Sequence, residues 1–225
     1  MDSPRLRRYR NRRYANISGG TRTGAAPVSR PRGDHRERRD AIAQAAATVI
    51  ASQGLERMTM RMVAAELGVT TGVVTHYFPS KDALLRHTKD MAFDRTFARA
   101  QAAAEGPPGM ERLHAVVEAT LPLDRERRIM WRLLVAFFGS AVGAPALRQM
   151  QTRRMQRWYA LFADVVSRLA ETGELPPHAD PARTAKAIAL FVEGLAIHVV
   201  MSAPVASASW QREFAREQVR RLVTG

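Results

Sequence analysis

The stretch that decides the fold is Thr59-Met60-Arg61-Met62-Val63-Ala64-Ala65-Glu66-Leu67-Gly68-Val69-Thr70-Thr71-Gly72-Val73-Val74-Thr75-His76-Tyr77-Phe78-Pro79-Ser80-Lys81. Thr59 is a residue type that caps a helix N-terminus. It opens a short helix over residues 60–67, with Met62, Val63 and Leu67 expected to point inward. Gly68-Val69-Thr70 is too short for anything but a tight turn. A second short helix is expected over residues 71–78, where Pro79-Ser80 breaks it. Two short helices joined by a three-residue, glycine-containing turn are the pattern of a helix-turn-helix.

Outward from this motif the pattern stays helical. Residues 40–53 place Ile42, Ala45, Ala46, Val49 and Ile50 on one face, and Gly54 supplies the stop. Ser80 is a good cap for a helix over residues 81–104. Gly106-Pro107-Pro108-Gly109 is a clear break. Helices are then expected over residues 110–121, 124–140, 145–172 and 180–201. Their starts are marked by Asp124, by Ala144-Pro145 and by Asp180-Pro181, with proline at the first helical position. Gly173 and Pro176-Pro177 end the long one, and Ser209 is expected to cap a final amphipathic helix over residues 210–223. That makes nine helices, and no segment shows strand-like alternation. The fold class is all-α.

A helix N-terminus presents free N–H groups and partial positive charge, so it favours a phosphate. Thr59, Thr71 and Lys81 lie at or beside such N-termini, and Arg61 follows in the first turn. Thr70, Thr71, Val73, Thr75 and His76 belong to the exposed parts of the second short helix. Thr and Val can pack on a thymine methyl, and Thr and His can hydrogen-bond a base edge. Val74 and Phe78, four apart, are expected to face the core, and Gly72 is expected to serve a close approach of helices or backbone. Capping alone accounts for Thr59 or Thr71 taken singly. The whole constellation reads as a DNA surface.

Thr59, Val63-Ala64, Leu67-Gly68-Val69-Thr70, Gly72, Tyr77-Phe78, Lys81 and Leu84 together resemble the N-terminal DNA-binding domain of TetR-type regulators. The likeness covers about fifty residues. Thr71 to Phe78 is most similar to the subgroup around the choline-responsive repressor of betaine synthesis. Many members carry tyrosine where this chain has Thr75, which leaves Tyr77 as the neighbouring residue for a phosphate contact. The resemblance implies a nine-helix, two-domain fold. The DNA-binding domain is placed at residues 36–86, after an arm of residues 1–35. A ligand-binding and dimerisation domain follows at residues 87–225. It also implies a homodimeric repressor that binds a palindromic operator and is released by a small molecule of unknown identity, with no cofactor and no metal. Such proteins dimerise through their last two helices as a four-helix bundle. Here that would employ Phe191, Leu195, Val199, Trp210 and Phe214.

The 225 residues are 46% hydrophobic and 25% charged, enough for a sizeable core, with a formal net charge of +14. A balance this basic attracts phosphate polymers or anionic membranes. Lysine occurs only at positions 81, 89 and 186; arginine, whose fork suits phosphates and guanine edges, supplies the rest. Residues 1–35 hold nine arginines against Asp2 and Asp34, a net +7. With few apolar residues, this arm is expected to stay flexible. It lacks the apolar core of a secretory signal. DNA contact, a solvated tail and a start codon assigned too early remain open alternatives for it.

Residues 187–201 are apolar on nearly every side apart from Glu193 and His198. This run is shorter than the roughly 20 residues that span a bilayer. A helix apolar all round must be covered all round, so one face is expected to pack inside and another against a partner chain, with Gly194 allowing close approach. Helices from 110 to 201 also carry Met130, Trp131, Phe137, Phe138, Trp158, Tyr159, Phe162 and Phe191. These can line an effector pocket, with His114, Glu193 and His198 as the polar anchors available. Trp131 and Trp158 are candidates for an aromatic cage around a quaternary ammonium, although aromatic stripes at helical spacing also simply fill cores.

An enzyme finds little support. There are no cysteines, which excludes disulfides, thiolate zinc sites and thiol catalysis. There is no Gly-x-Ser-x-Gly elbow, no phosphate-cradling glycine loop and no His-Glu-x-x-His. The histidines at 35, 76, 87, 114, 178 and 198 share no metal-ligand spacing. A membrane-surface protein would need an arginine-faced amphipathic helix with exposed Trp or Leu, and the arm lacks one. The expectation is a cytoplasmic, DNA-associated regulator.

Overall fold

The structure is a computed structural model that describes residues 32–142, 145–201 and 206–225. Residues 1–31, most of the basic arm, lie outside the described residues, as does Ala144. Among the described residues there are nine helices and no strand. They are α1 (Arg32–Gln53), α2 (Met60–Leu67), α3 (Thr71–Tyr77), α4 (Lys81–Ala104) and α5 (Met110–Thr120), followed by α6 (Arg125–Val142), α7 (Pro145–Glu171), α8 (Pro181–Met201) and α9 (Ala208–Thr224).

Caps explain most boundaries. Thr59 Oγ1 accepts from the Met62 amide at 3.2 Å, and Ser80 Oγ accepts from the Ala83 amide at 3.1 Å. Asp124 Oδ1 accepts from the Arg127 amide at 2.9 Å, and Asp180 Oδ1 from the Ala182 amide at 2.9 Å. Gly68 ends α2 in the left-handed region at φ +70°, with Val69 N donating to Ala64 O at 3.0 Å. That conformation favours glycine and is what makes so short a turn feasible.

Two expected boundaries are corrected. The last helix starts at Ala208, and its cap is Ser207, whose Oγ accepts from the Trp210 amide at 3.1 Å; Ser209 Oγ instead lies 2.9 Å from Ser207 Oγ. The first helix begins at Arg32, eight residues before the expected start at Asp40. Residues 32–39 are nearly all charged and carry no apolar stripe, so their helicity is not written in periodicity. They are held by longer-range contacts to α3: the His35 ring lies 5.0 Å from the Tyr77 ring, Arg38 donates to the Tyr77 hydroxyl at 3.3 Å, and Arg39 donates to the Tyr77 carbonyl at 2.9 Å.

The chain divides within α4 into two compact units, the first ending at Met91 and the second starting at Ala92. In the first unit, Ile42, Ala45, Ala46, Val49 and Ile50 of α1 are buried with Met58, Val63, Leu67, Val74, Phe78 and Leu84. Met62, expected inward, is only half-buried, and Ala64 takes the buried position in its place. Asp40 and His87 pair at 3.1 Å between α1 and α4. In the second unit α7 and α8 pack along each other, α6 lies against both, and α9 covers α5 and α8. Their core includes Leu113, Val117, Phe162, Val166, Ile188, Val192 and Val219. By length and composition α8 is apolar enough to cross a bilayer, but half of that stretch is buried inside the protein, as befits a core helix.

Candidate nucleic-acid interface and effector cavity

The helix-turn-helix sorts its residues cleanly. Val74 and Phe78 are fully buried, while Thr70, Thr71, Thr75 and His76 are exposed and Val73 is half-exposed. Thr59 and Arg61 are exposed at the start of α2. Thr70 occupies the N-cap of α3 but its side chain caps nothing, so its hydroxyl is available to an outside group. Most of the expected residues are therefore solvent-exposed, with four differences in detail. Thr75 Oγ1 donates back to Thr71 O and Gly72 O, both at 3.2 Å, so its hydroxyl proton is engaged. Tyr77 is only 9% exposed and its hydroxyl is held by Arg38, which makes it part of the α1–α3 joint rather than an open phosphate donor. Lys81 Nζ donates to Glu56 O at 3.0 Å, tying the start of α4 to the loop before α2. Gly72 has no close approach to explain: a Cβ there would meet only Thr70 Oγ1, at an ordinary 3.7 Å.

The second unit encloses a cavity of about 50 Å³, several times the ~10–15 Å³ that one water needs. Trp131, Phe138, Trp158, Phe162 and Glu193, all candidates from sequence, line it. His114 and His198 do not. His114 is fully buried on α5, with Nδ1 3.3 Å from Glu111 Oε1 and Nε2 unpartnered among the described residues. Burial, as the largest effect, holds its pKa below the ordinary value. It sits beside Arg216, which bridges Glu111 at 3.0 Å and Glu118 at 2.8 Å and so fastens α9 to α5. His198 is exposed on α8.

Sequence reasoning missed Phe93 and Thr96 of α4, Gln151 and Met155 of α7, and Leu134. The available signal was Phe93-x-x-Thr96-Phe97, an aromatic pair at helical spacing within a charged helix. Phe93 and Phe97 stack at 6.0 Å, and Trp158 meets both edge-on at 6.3 and 5.4 Å. Arg157 lies over the Phe97 ring at 4.3 Å, and Arg154 over the Phe93 ring at 4.9 Å.

Apart from the Gln151 amide, the polar side chains of this cavity are left mainly as acceptors. The Trp131 indole N–H is used on Thr120 O at 2.7 Å, Thr120 Oγ1 donates to Val117 O at 2.6 Å, and Thr96 Oγ1 donates to Ala92 O at 2.9 Å. Burial raises the pKa of Glu193, and among the described residues no hydrogen-bond or ion-pair partner is placed on its carboxylate. A chamber of π faces and acceptors, with a carboxylate in its wall, is suited to a cation.

The proposed dimer residues divide. Leu195 and Val199 are buried in the unit's own core together with Val192 and Ile188 of the same side of α8, so they are not open to a partner. The exposed side of α8 instead carries Leu190 (50%), Gly194, His198 and Met201 (71%). Trp210 is 44% exposed and stacks on Phe214 at 4.9 Å, which in turn lies 6.0 Å from Phe191. Among the described residues no atom within 4 Å would meet a Cβ at Gly194, so any close approach there must come from outside them.

These features define a helix-turn-helix protein whose second helical unit holds an aromatic-lined cavity. Residues 42–88 match the family described as bacterial regulatory proteins, tetR family, and residues 109–224 match the BetI-type transcriptional repressor C-terminal family. The chain belongs to the TetR family of transcriptional regulators, in the group with BetI-type C-terminal domains. It is similar to the HTH-type transcriptional regulator BetI of Paraburkholderia phymatum, 30% identical over 168 residues that cover 73% of this chain and 82% of that one. BetI 2 of Chromohalobacter salexigens is 25% identical over 83% of this chain and 89% of its own. Among solved structures, a TetR-family regulator from Rhodococcus sp. has a TM-score of 0.68 at 26% identity, covering 84% of this chain and 100% of that one. A transcriptional regulator from Saccharomonospora viridis in complex with choline has a TM-score of 0.72 at 23% identity, covering 82% of this chain and 96% of that one. The protein is thus a DNA-binding transcriptional regulator and not an enzyme.

Proposed function

We propose that the protein is a homodimeric, cytoplasmic repressor that occupies a palindromic operator through α3 and leaves it when a small organic cation enters the cavity. The observation that carries the DNA part is the exposed row Thr70, Thr71, Thr75 and His76 on a helix whose other side, Val74 and Phe78, is fully buried. Side chains on such a row reach base edges, while the buried pair fixes the helix that presents them. Two such helices in a twofold dimer read the two halves of an inverted repeat. The exposed side of α8 and Trp210 of α9 supply the apolar surface for that dimer.

The acceptor-lined aromatic cavity with Glu193 in its wall supports an ammonium effector, and the choline held by the Saccharomonospora viridis regulator is chemistry of that kind. Phe93 and Thr96 belong to α4, the same helix that starts at Lys81 after the helix-turn-helix. A ligand that shifts the register of α4 at these residues thereby acts on the element that leads into the DNA-binding unit. Operator fragments selected from random DNA and titrated with the full-length protein, with and without choline, test this. Release at saturating choline supports it, and a selected operator that no ammonium compound releases contradicts the effector part.

A further inference from the structure

The cavity does not end at its aromatic walls. Phe138, Gln151, Met155 and Glu193 also border a second, more open space of about 690 Å³, which adds Arg148, Thr152, Gln156 and Tyr159. The two spaces adjoin along these four shared residues, and Glu193 is the charged one among them. One face of α7 runs the length of both: Arg148, Gln151, Thr152, Met155, Tyr159 and Phe162 recur at three- and four-residue intervals. Along that stripe the chemistry changes from cationic and amide to aromatic. A stripe serving only as core would have no use for an arginine and a glutamine at one end.

The polar atoms of the outer space also differ in kind from those of the inner one. Arg148 and the Gln156 amide add donors that the inner space lacks, the Gln151 amide borders both, and Tyr159 adds a hydroxyl whose pKa is raised by burial and by the charge of Glu193. Thr152 Oγ1 is already turned onto Arg148 O at 3.0 Å. The site therefore has a fixed order of charge: aromatic faces and acceptors inside, a carboxylate at the shared border, a guanidinium and amide donors outside. A simple ammonium uses only the inner half of this order. A molecule with its anionic end inward would meet Glu193.

Resting on the reading of the inner cavity as an effector site, we propose that the effector is two-ended. Its ammonium head sits among Trp131, Trp158 and Phe162, and a short linker passes Glu193. An anionic group, a phosphate or sulfate ester or a free carboxylate, lies in the outer groove against Arg148. The outer groove is then the part of the site that sets specificity among ammonium compounds, because the inner chamber accepts the same head from all of them.

The test uses the full-length dimer, tryptophan fluorescence and calorimetry, with tetramethylammonium, choline, phosphocholine and inorganic phosphate as ligands. Phosphocholine is expected to bind about tenfold more tightly than tetramethylammonium, and phosphate alone not to displace tetramethylammonium. Arg148→Ala is expected to abolish the phosphocholine preference and leave the tetramethylammonium Kd unchanged; Arg148 is exposed, so the fold is retained, which circular dichroism checks. Glu193→Gln is expected to weaken all the ammonium ligands together. If phosphocholine binds no more tightly than tetramethylammonium, or if its preference survives Arg148→Ala, the two-ended proposal is overturned while the ammonium reading stands. If no ammonium compound binds at all, the ammonium reading falls and the proposal with it.

Discussion

Thr75 and Tyr77 are two residues apart on α3 and have different work. The Thr75 hydroxyl proton is bonded back to its own helix, so the contact expected of it on DNA is through its methyl group. Thr75→Val is therefore expected to leave operator affinity nearly unchanged, whereas Thr71→Ala or His76→Ala weakens it by about 1–3 kcal/mol where a base contact is lost. Gel shifts on the selected operator distinguish these. Tyr77→Phe removes one long hydrogen bond to Arg38 and is expected to cost under about 1 kcal/mol of stability. Tyr77→Ala removes a buried ring and is expected to cost about 3–5 kcal/mol, read by denaturant melts. Glu193 gives a pH dependence. Burial raises its pKa, so between the ordinary carboxylate range and the raised value the folded protein holds a proton that the unfolded chain has released. Folding is penalised by this group above that window and relieved as pH falls through it. A bound cation needs the ionised form, so affinity for tetramethylammonium is expected to fall as pH falls through the same window. Glu193→Gln is expected to flatten that profile and to raise the melting temperature of the ligand-free protein at neutral pH.

At the scale of elements, caps and periodicity made most of the fold readable. Thr59, Ser80, Asp124 and Asp180 each mark a helix start with a side-chain oxygen bonded to a backbone amide, and such marks are local. What was not readable depends on neighbours distant in sequence. The first turns of α1 are fixed by Tyr77, some forty residues away, and the cavity depends on Phe93 and Thr96 meeting α7. The two faces of α8 are another case. Apolar residues surround that helix, so sequence could not tell which side the protomer keeps for itself. Leu195 and Val199 are on the buried side, and Leu190 and Met201 on the open side. Val199→Asp is accordingly expected to unfold the second unit, because it buries an unpaired charge. Leu190→Arg is expected to leave a folded chain that sediments as a monomer. A Leu190→Arg protein that remains dimeric would place the interface elsewhere.

For the whole molecule the dominant quantity is a net charge of +14, half of it within residues 1–35. If those arginines lie along DNA, each phosphate they neutralise adds about 0.9 to the slope of log affinity against log salt. Roughly two to four contacts per subunit are expected from an arm of this length, so deletion of residues 1–33 is expected to flatten the slope by about 2–4 units per subunit. Operator and random DNA would then weaken together, while dimer and ligand response survive. An unchanged slope would show that the arm is only solvated. The central claim, that a dimer reads DNA through the exposed row of α3, is tested most directly by selecting bound duplexes from a random pool with the full-length protein. Recognition helices about 34–36 Å apart or somewhat more predict an inverted repeat, enriched by the wild-type protein and no longer enriched by the Thr71→Ala, His76→Ala double variant. Recovery of no inverted repeat, or of the same repeat with the double variant, would contradict the account.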